Sequence, residues 1–348
     1  MNPKNRYSGG RMLAIWMAYA CAANGYDVDF YTNCIPKFIV DYPHDESFER
    51  LHFKLNSNYL WRAKNHDYKM IMIVPHLASR KSPIYDRFLF YPFARRLKKN
   101  NKCPLWYLDF ECYGWIKSVD PELRPAEGYR YSDKILPYCD MTLSISGTGL
   151  IKAKEYYPLF NPNIDCKMVY SFVNMFAAEG CQYKNKEDLA VFIARFGQKH
   201  KNNESVFNMI DSLPSNFEFA IMGNKEGADP LFISEIERRA KERHLELVFY
   251  KNITDKEKYN LFGKAKIMFF PSKFEGFGLP PMEAQYMGAS VICSDIPVLK
   301  EISPMATFVD FEKKDDVKNA VNQLLEHPQD ADVLRNYIVN NFSPKKFV

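Results

Sequence analysis

Two carboxylates with seven residues between them, Glu275 and Glu283, bracket the stretch 269–284, FFPSKFEGFGLPPMEA. A buried strand reads as ending at Pro271. A loop with Gly276 and Gly278 follows, and Pro280 and Pro281 open a helix, where a missing N–H costs nothing. Loop glycines let a ligand approach the backbone closely. The amides near Gly278 and Leu279, with the helix dipole behind them, make an anion site suited to a diphosphate. Glu283 reads as lying in the first helical turn. There its carboxylate can accept hydrogen bonds from vicinal hydroxyls, as an acidic residue does for ribose in dinucleotide-binding folds. Glu275, across the loop, can reach a sugar hydroxyl.

Such a loop needs a strand behind it and a helix after it, and the second half of the chain supplies both repeatedly. Short apolar runs at 189–196 (LAVFIARF), 217–222 (FEFAIM), 245–250 (LELVFY), 266–270 (KIMFF), 290–293 (SVIC) and 307–309 alternate with polar stretches of helical period, such as 231–243 and 256–265. Strands apolar on both faces, separated by helices, imply a parallel sheet covered on both sides. Six of them make a full Rossmann-like domain.

The first half repeats the theme less regularly. Strands are expected at 28–32, 69–74, 105–110 and 141–145, with a last one near 168–172. Helices are expected at 11–23, 85–99 and 121–138. The linker falls near 173–185, which divides the chain into domains 1–175 and 176–348. A doubly wound domain begins with a strand, yet this chain opens on a Gly-Gly turn and a helix, and it stops at NFSPKKFV, which reads as a helix entrance. A first strand and a final helix are therefore expected to be missing or unusually built.

A length of 348 residues favours two domains, and 47% hydrophobic residues are enough for two cores. The eight cysteines are scattered without a C-x-x-C, which suits reduced thiols of a cytoplasmic protein rather than a disulfide framework or zinc site. No apolar run is long enough for a membrane span, and the N-terminus lacks the apolar region of a secretory signal. A net charge of +5 suits a polyanionic small ligand or an anionic membrane surface and does not call for nucleic acid.

The frame EGFGLPPME, followed by SVICSDIPVLKEI and preceded by ITDKEKYNLFGKAKIMFFPS, resembles the signature of glycosyltransferase family 4, retaining enzymes of the GT-B fold. The resemblance is strong over 189–302 and weaker but ordered before that. It implies two Rossmann-like domains with parallel sheets facing across a cleft, an acceptor domain first and a nucleotide-sugar donor domain second. By resemblance, Glu275 contacts the donor sugar, Glu283 the ribose, and the backbone of Phe277, Gly278 and Leu279 the phosphates. The family's G-R-x4-K-G pattern falls on FIARFGQKHKNN. Arg195 matches the Arg, Ala194 replaces the preceding Gly, and His200 stands at the Lys position. Lys201, with one residue inserted, is the favoured cation and Lys199 the alternative. Both cations would neutralise the diphosphate leaving group as the glycosidic bond breaks. Gly9 and Gly10 match a glycine-rich turn that the family places over the diphosphate from the opposite domain. Gly223 is a weaker match to a nucleotide-side glycine.

The sequence departs from the family where a His usually follows the fourth acceptor-domain strand. PLWYLDFECYGW holds Asp109 and Glu111 instead. Asp109 is taken as a catalytic candidate, with Glu111 and His76 as acceptor-side candidates. The family's reaction is usually described as front-face attack, in which the leaving phosphate helps deprotonate the acceptor and the protein supplies positioning and charge stabilisation. No metal or cofactor is expected, because no D-x-D at a strand end and no His/Cys cluster is present. The partners expected are a UDP-, GDP- or ADP-sugar and a glycan or lipid-linked acceptor.

Residues 85–102, YDRFLFYPFARRLKKNNK, combine aromatics with cations and could lie on an anionic bilayer at the inner face of the membrane. The function expected is sugar transfer to a glycan, glycolipid or glycoprotein in surface polysaccharide or glycoconjugate synthesis. The alternative is a non-catalytic GT-B partner of another transferase. Nothing in the sequence fixes the oligomeric state.

Overall fold

A computed structural model describes residues 9–32, 35, 45–55, 68–74, 91–100, 102–119 and 132–344. His76 and the part of the basic segment at 85–90 lie outside these. The described residues up to Ser171, with Pro344, form one compact unit, and Phe172–Ser343 form a second. The division comes four residues ahead of the expected 175/176.

The first unit opens on the helix Gly9–Ala23. Its residues from Met12 to Ala20 are all buried, which explains why its sequence is apolar all round rather than along one stripe. Strand β1 (Val28–Thr32) pairs in parallel with β2 (Leu51–Leu55), Val28 opposite Leu51. A separate parallel sheet follows in chain order, β3 (Ile71–Ile73), β4 (Leu105–Asp109), β5 (Met141–Ser144) and β6 (Asp165–Met168). Its helices include Tyr91–Asn100, Tyr113–Ser118 and Gly147–Tyr156.

Two sequence expectations need correction here. The last strand lies at Asp165–Met168, ahead of the apolar run near 168–172, because the exposed edge of the sheet carries Asp165, Lys167 and Met168 and so gives no apolar signal. The described part of the helix expected at 121–138 is two single 3-10 turns, Ser132–Lys134 and Leu136–Tyr138. Pro137 has no N–H to give to a continuing α-helix.

In the second unit six parallel strands form one sheet: β7 (Glu187–Ile193), β8 (Glu218–Met222), β9 (Glu246–Tyr250), β10 (Ala265–Phe270), β11 (Ser290–Ser294) and β12 (Thr307–Val309). Their spatial order is β9-β8-β7-β10-β11-β12, the doubly wound 3-2-1-4-5-6 arrangement. Val191, Phe192, Phe219, Ile221, Met268, Phe269 and Ile292 are fully buried, since helices cover both faces. Burial of each such side chain contributes about 1.5–3 kcal/mol, so the runs read as continuous apolar segments. The helix Asp255–Lys264 starts at a capping box, with Thr254 accepting from Glu257 N–H and the Glu257 carboxylate accepting from Thr254 N–H.

The order reverses between β7 and β10, which are direct neighbours with Phe192 opposite Phe269. Ligands of doubly wound sheets bind beyond the carboxyl ends of the strands at this switch point. The loops leaving β7 and β10 there carry Arg195–Lys201 and Glu275–Gly278.

Candidate functional site

The loop after β7 is shaped by its own backbone. Gly197 has φ of 81° and Asn202 a φ of 50°, both left-handed, so the chain folds back twice within a few residues. Asn203 Nδ2 donates to the carbonyls of Arg195 (3.0 Å) and Gln198 (3.4 Å), and Lys199–Lys201 form a single 3-10 turn. This turn leaves Arg195 and Lys199 exposed and directs Lys201 inward. The neighbouring loop is tied to it by Lys273 N–H, which donates to the His200 carbonyl at 2.8 Å.

The structure thereby brings Lys201 and Glu275 together. Lys201 Nζ forms an ion pair and hydrogen bond with Glu275 Oε1, both side chains being largely covered, and the ammonium lies 5.6 Å from the centre of the Phe270 ring. Burial alone would raise the Glu275 carboxyl. The charge and hydrogen bond of Lys201, the Ser272 hydroxyl and nearby His200 outweigh it and hold the group below the ordinary Glu range. Glu275 is thus ionised at neutral pH. Of the two cations weighed from spacing, Lys201 is the one that meets Glu275, and Lys199 is exposed.

Beyond Glu275 the chain turns at Gly278, whose φ is 111°. The left-handed backbone calls for glycine, and a Cβ there, 2.8 Å from Leu299 Cδ2, would also push that side chain aside. The helix begins at Leu279 and runs to Tyr286. Pro280 and Pro281 occupy its first turn, which leaves fewer amides than a helix start normally offers. Among the described residues the N–H groups of Gly276, Gly278 and Leu279 donate to no protein acceptor. Bare amides of this kind at a helix start can receive an anion. Phe277 is buried, with its ring edge-on to Phe342.

Glu283 stands in the second helical turn, not the first as its sequence position suggested, because the helix starts at Leu279, one residue ahead of the proline pair. It is 4% exposed. Its Oε1 accepts from Lys258 Nζ at 2.8 Å and from Tyr259 Oη at 3.1 Å. Lys258 Nζ also contacts Asp255 Oδ1 at 3.1 Å, and Asn174 Nδ2 donates to Asp255 Oδ2 at 3.4 Å. Burial raises the Glu283 carboxyl, Lys258 draws it down and Asp255 pushes it up, and the sum leaves it above the ordinary Glu range. Lys258 and Asp255 were not singled out from sequence. Their only signal was the Thr254–Glu257 capping box, which fixes the helix start and puts the two residues three positions apart on one face.

Other candidates have definite places. Gly223 uses its N–H on the Tyr250 carbonyl, and a Cβ there would meet the Ala194 carbonyl at 2.8 Å, so close strand-end packing accounts for this glycine. In the first unit Gly9 and Gly10 are the first helical residues rather than a turn before the helix, and a Cβ on Gly10 would lie 3.2 Å from the Phe110 ring. Asp109 ends β4 and is 2% exposed, accepting from Tyr157 Oη (2.6 Å) and Ser144 Oγ (3.3 Å). Burial is the main cause that pushes it up to about 7. Glu111 and Asp133 add to the rise, and the Tyr157 and Ser144 hydrogen bonds oppose it. Glu111 is half-buried beside it. On the helix Tyr91–Asn100, Arg95, Arg96 and Lys99 are exposed, Leu97 is buried, and Lys98 pairs with Asp140 at 2.5 Å. Among the described residues, no helix is long and apolar enough to cross a membrane, and no three His, Cys, Asp or Glu side chains gather as for a metal ion.

Comparison with known proteins decides the class of this unit. The family "Glycosyl transferases group 1" matches residues 180–341. Residues 180–341 are a group 1 glycosyl transferase domain. This group 1 domain includes the whole Lys201–Glu275 loop pair and the Glu283 helix. The chain is 25% identical over 202 residues to the O-antigen chain mannosyltransferase RfbU of Salmonella typhimurium, covering 58% of this chain and 55% of that protein. The chain thus spans about half the length of this curated relative. Two solved structures are similar over nearly the whole chain. Sucrose-phosphate synthase from Thermosynechococcus elongatus gives a TM-score of 0.64 at 13% identity, over 95% of this chain and 89% of that one. Anabaena Alr3699/HepE, solved with UDP-glucose, gives 0.64 at 10% identity, over 98% and 94%. The fold is accordingly GT-B, with an α/β unit of parallel strands on each side of Ser171.

Proposed function

We propose that the chain is a retaining, family 4-type glycosyltransferase that moves a sugar from a nucleotide-sugar donor to a glycan, glycolipid or glycoprotein acceptor in surface polysaccharide or glycoconjugate synthesis. The observation that carries this reading is the meeting of Lys201 and Glu275 at the β7/β10 switch point, beside the unpartnered amides of Gly276, Gly278 and Leu279. A cation, an ionised carboxylate and bare amides at one strand-end crevice match the three parts of a sugar diphosphate: its charge, its hydroxyls and its phosphate oxygens.

In this reading the E-x7-E pair acts from both ends of the loop. The donor's diphosphate takes the amides and draws Lys201, with exposed Arg195 able to swing onto it. Glu275 then accepts a hydrogen bond from the sugar, and Glu283 accepts from the ribose. The anomeric carbon–phosphate oxygen bond breaks as the acceptor oxygen forms its bond on the same face. Because attack and departure share one face, anomeric configuration is kept, and the acceptor's proton passes to the leaving phosphate. Positioned charge at the leaving group supplies most of the protein's share of the rate. Asp109, held inside its unit, fits a role in setting the β4 end rather than touching donor.

The mannosyltransferase relatives make a mannose nucleotide the first donor to test, and the HepE structure with UDP-glucose keeps UDP-sugars in the panel. Exposed Arg95, Arg96 and Lys99 support peripheral contact of 85–102 with an anionic membrane. The test is turnover of a UDP-, GDP- and ADP-sugar panel with glycan and lipid-linked acceptors. Transfer from one donor, abolished by Glu275→Ala, is the expected result. Donor binding with no transfer to any acceptor would favour the non-catalytic partner instead. No binding at all would overturn both.

A further inference from the structure

Beside the loop pair, the group 1 domain holds a second ionic cluster that donor binding as described does not use in full. Glu283, Lys258 and Asp255 are 4%, 8% and 8% exposed, and they come from two helices, Leu279–Tyr286 and Asp255–Lys264. Lys258 bridges the two carboxylates, at 2.8 Å from Glu283 and 3.1 Å from Asp255. Asn174, itself 3% exposed, holds the far oxygen of Asp255. One ammonium between two carboxylates leaves a net negative charge in a covered place. Desolvation makes such an arrangement costly, and apolar residues of like volume would pack there more cheaply.

We propose that Lys258 is a positioning residue for donor recognition: it holds Glu283 ionised and fixed so that its carboxylate accepts the vicinal ribose hydroxyls of the nucleotide, while Asp255 anchors Lys258 from behind. This deepens the proposed function and rests on it.

The geometry accounts for the division of labour. Lys258 and Tyr259 both bond to Oε1, which fixes the rotation of the carboxylate and leaves Oε2 for a ligand hydroxyl. A carboxylate accepts two hydroxyl donors, whereas a protonated carboxyl presents one hydroxyl of its own and accepts less well. Ribose recognition therefore depends on Glu283 being ionised, against the burial and the Asp255 charge that favour its protonation. Among the described residues, the charged and titratable groups that act most on it are Lys258, Asp255 and Tyr259. Removing Lys258 and removing the charge of Asp255 must then act in opposite directions. A group that merely holds two helices together would give the same direction for both.

The experiment uses the full chain. The nucleoside diphosphate of the best-bound donor and its 2′,3′-dideoxy analogue are titrated calorimetrically across pH 5 to 9, for wild type, Lys258→Met, Lys258→Arg and Asp255→Asn. Wild type should prefer the ribonucleotide by about tenfold or more, the worth of a hydrogen bond to a charged group. Lys258→Met should lose most of that preference at neutral pH and regain part of it at high pH. Lys258→Arg should restore it. Asp255→Asn should extend the preference to lower pH. If Lys258→Met keeps the wild-type preference, or if both variants shift the same way, the inference is wrong and donor binding stands. Should Lys258→Met not fold, the shifts in Lys258→Arg and Asp255→Asn decide. A wild type that binds nucleotides without distinguishing the dideoxy form would remove Glu283 from ribose recognition. One that binds none would overturn the proposed function itself.

Discussion

Lys201 and Glu275, 74 residues apart in sequence, close an ion pair across adjacent strand ends of one sheet. Without a ligand each neutralises the other, so neither stands as an unpaired charge in a largely covered place. Under the proposed function, an arriving diphosphate would compete with Glu275 for the ammonium and leave the carboxylate free for a sugar hydroxyl.

Lys201→Ala removes the charge that, under the proposed function, meets the leaving group. A drop in kcat of about 10²–10³ is expected, the usual worth of one such electrostatic contact. Steady-state kinetics on the active donor checks this. Lys199→Ala, on an exposed side chain, should stay within a few-fold of wild type.

The same pair predicts a pH effect on stability. Glu275 has a folded-state pKa below its unfolded value, so its stabilisation is present above the ordinary Glu range and is lost as pH falls through the lower folded value. Thermal melts from pH 6 to 3 should show this loss, and Glu275→Gln should flatten it. Asp109 has the opposite sign. Its carboxyl is pushed up to about 7, so the native state holds a proton that the unfolded state releases, and stability falls as pH rises from about 4 to 7. Asp109→Asn keeps acceptors and donors for Tyr157 and Ser144 and should remove that decline in Tm.

Two glycines should separate binding from folding. Gly278→Ala puts a side chain at φ of 111° and against Leu299, costing roughly 1–3 kcal/mol, and it also displaces the amides to which the proposed function assigns phosphate. Nucleotide affinity should fall along with Tm. Gly223→Ala collides with the Ala194 carbonyl and should lower Tm, while the protein that remains folded keeps its nucleotide affinity.

The sheet of the second unit was readable because helices cover both faces, so each of β7 to β12 appears as an apolar run. The first unit was less so. Strand β2, LHFKL, is exposed at His52, Lys54 and Leu55 and has no such run, and β6 lies at an exposed edge. The helix Gly147–Tyr156 was missed because its sequence, GTGLIKAKEY, opens on two glycines and carries no strong apolar stripe. Glu275, Glu283 and the glycine loop are local in sequence and could be found there. Which lysine meets Glu275 depended on left-handed backbone at Gly197 and Asn202, and the Lys258–Asp255 support for Glu283 depended on two helices packing together. The first leaves no spacing to read, and for the second the Thr254–Glu257 capping box marks only the helix start, not the contact with Glu283.

Lys186 offers a control away from the ligand. Its ammonium donates to the carbonyls of Met287 (2.7 Å), Gly263 (2.9 Å) and Phe262 (3.3 Å) at the ends of two helices. Lys186→Met should cost about 1–3 kcal/mol in denaturant unfolding, the penalty of leaving such groups unsatisfied, without changing which nucleotide is preferred.

The most direct test is calorimetric titration of the sugar-nucleotide panel into wild type and Lys201→Ala. One nucleoside diphosphate sugar should bind wild type, and the variant should bind it at least about tenfold more weakly, the worth of one charge-assisted contact. Equal affinity in the two proteins, or no binding by wild type to any of the panel, would contradict it.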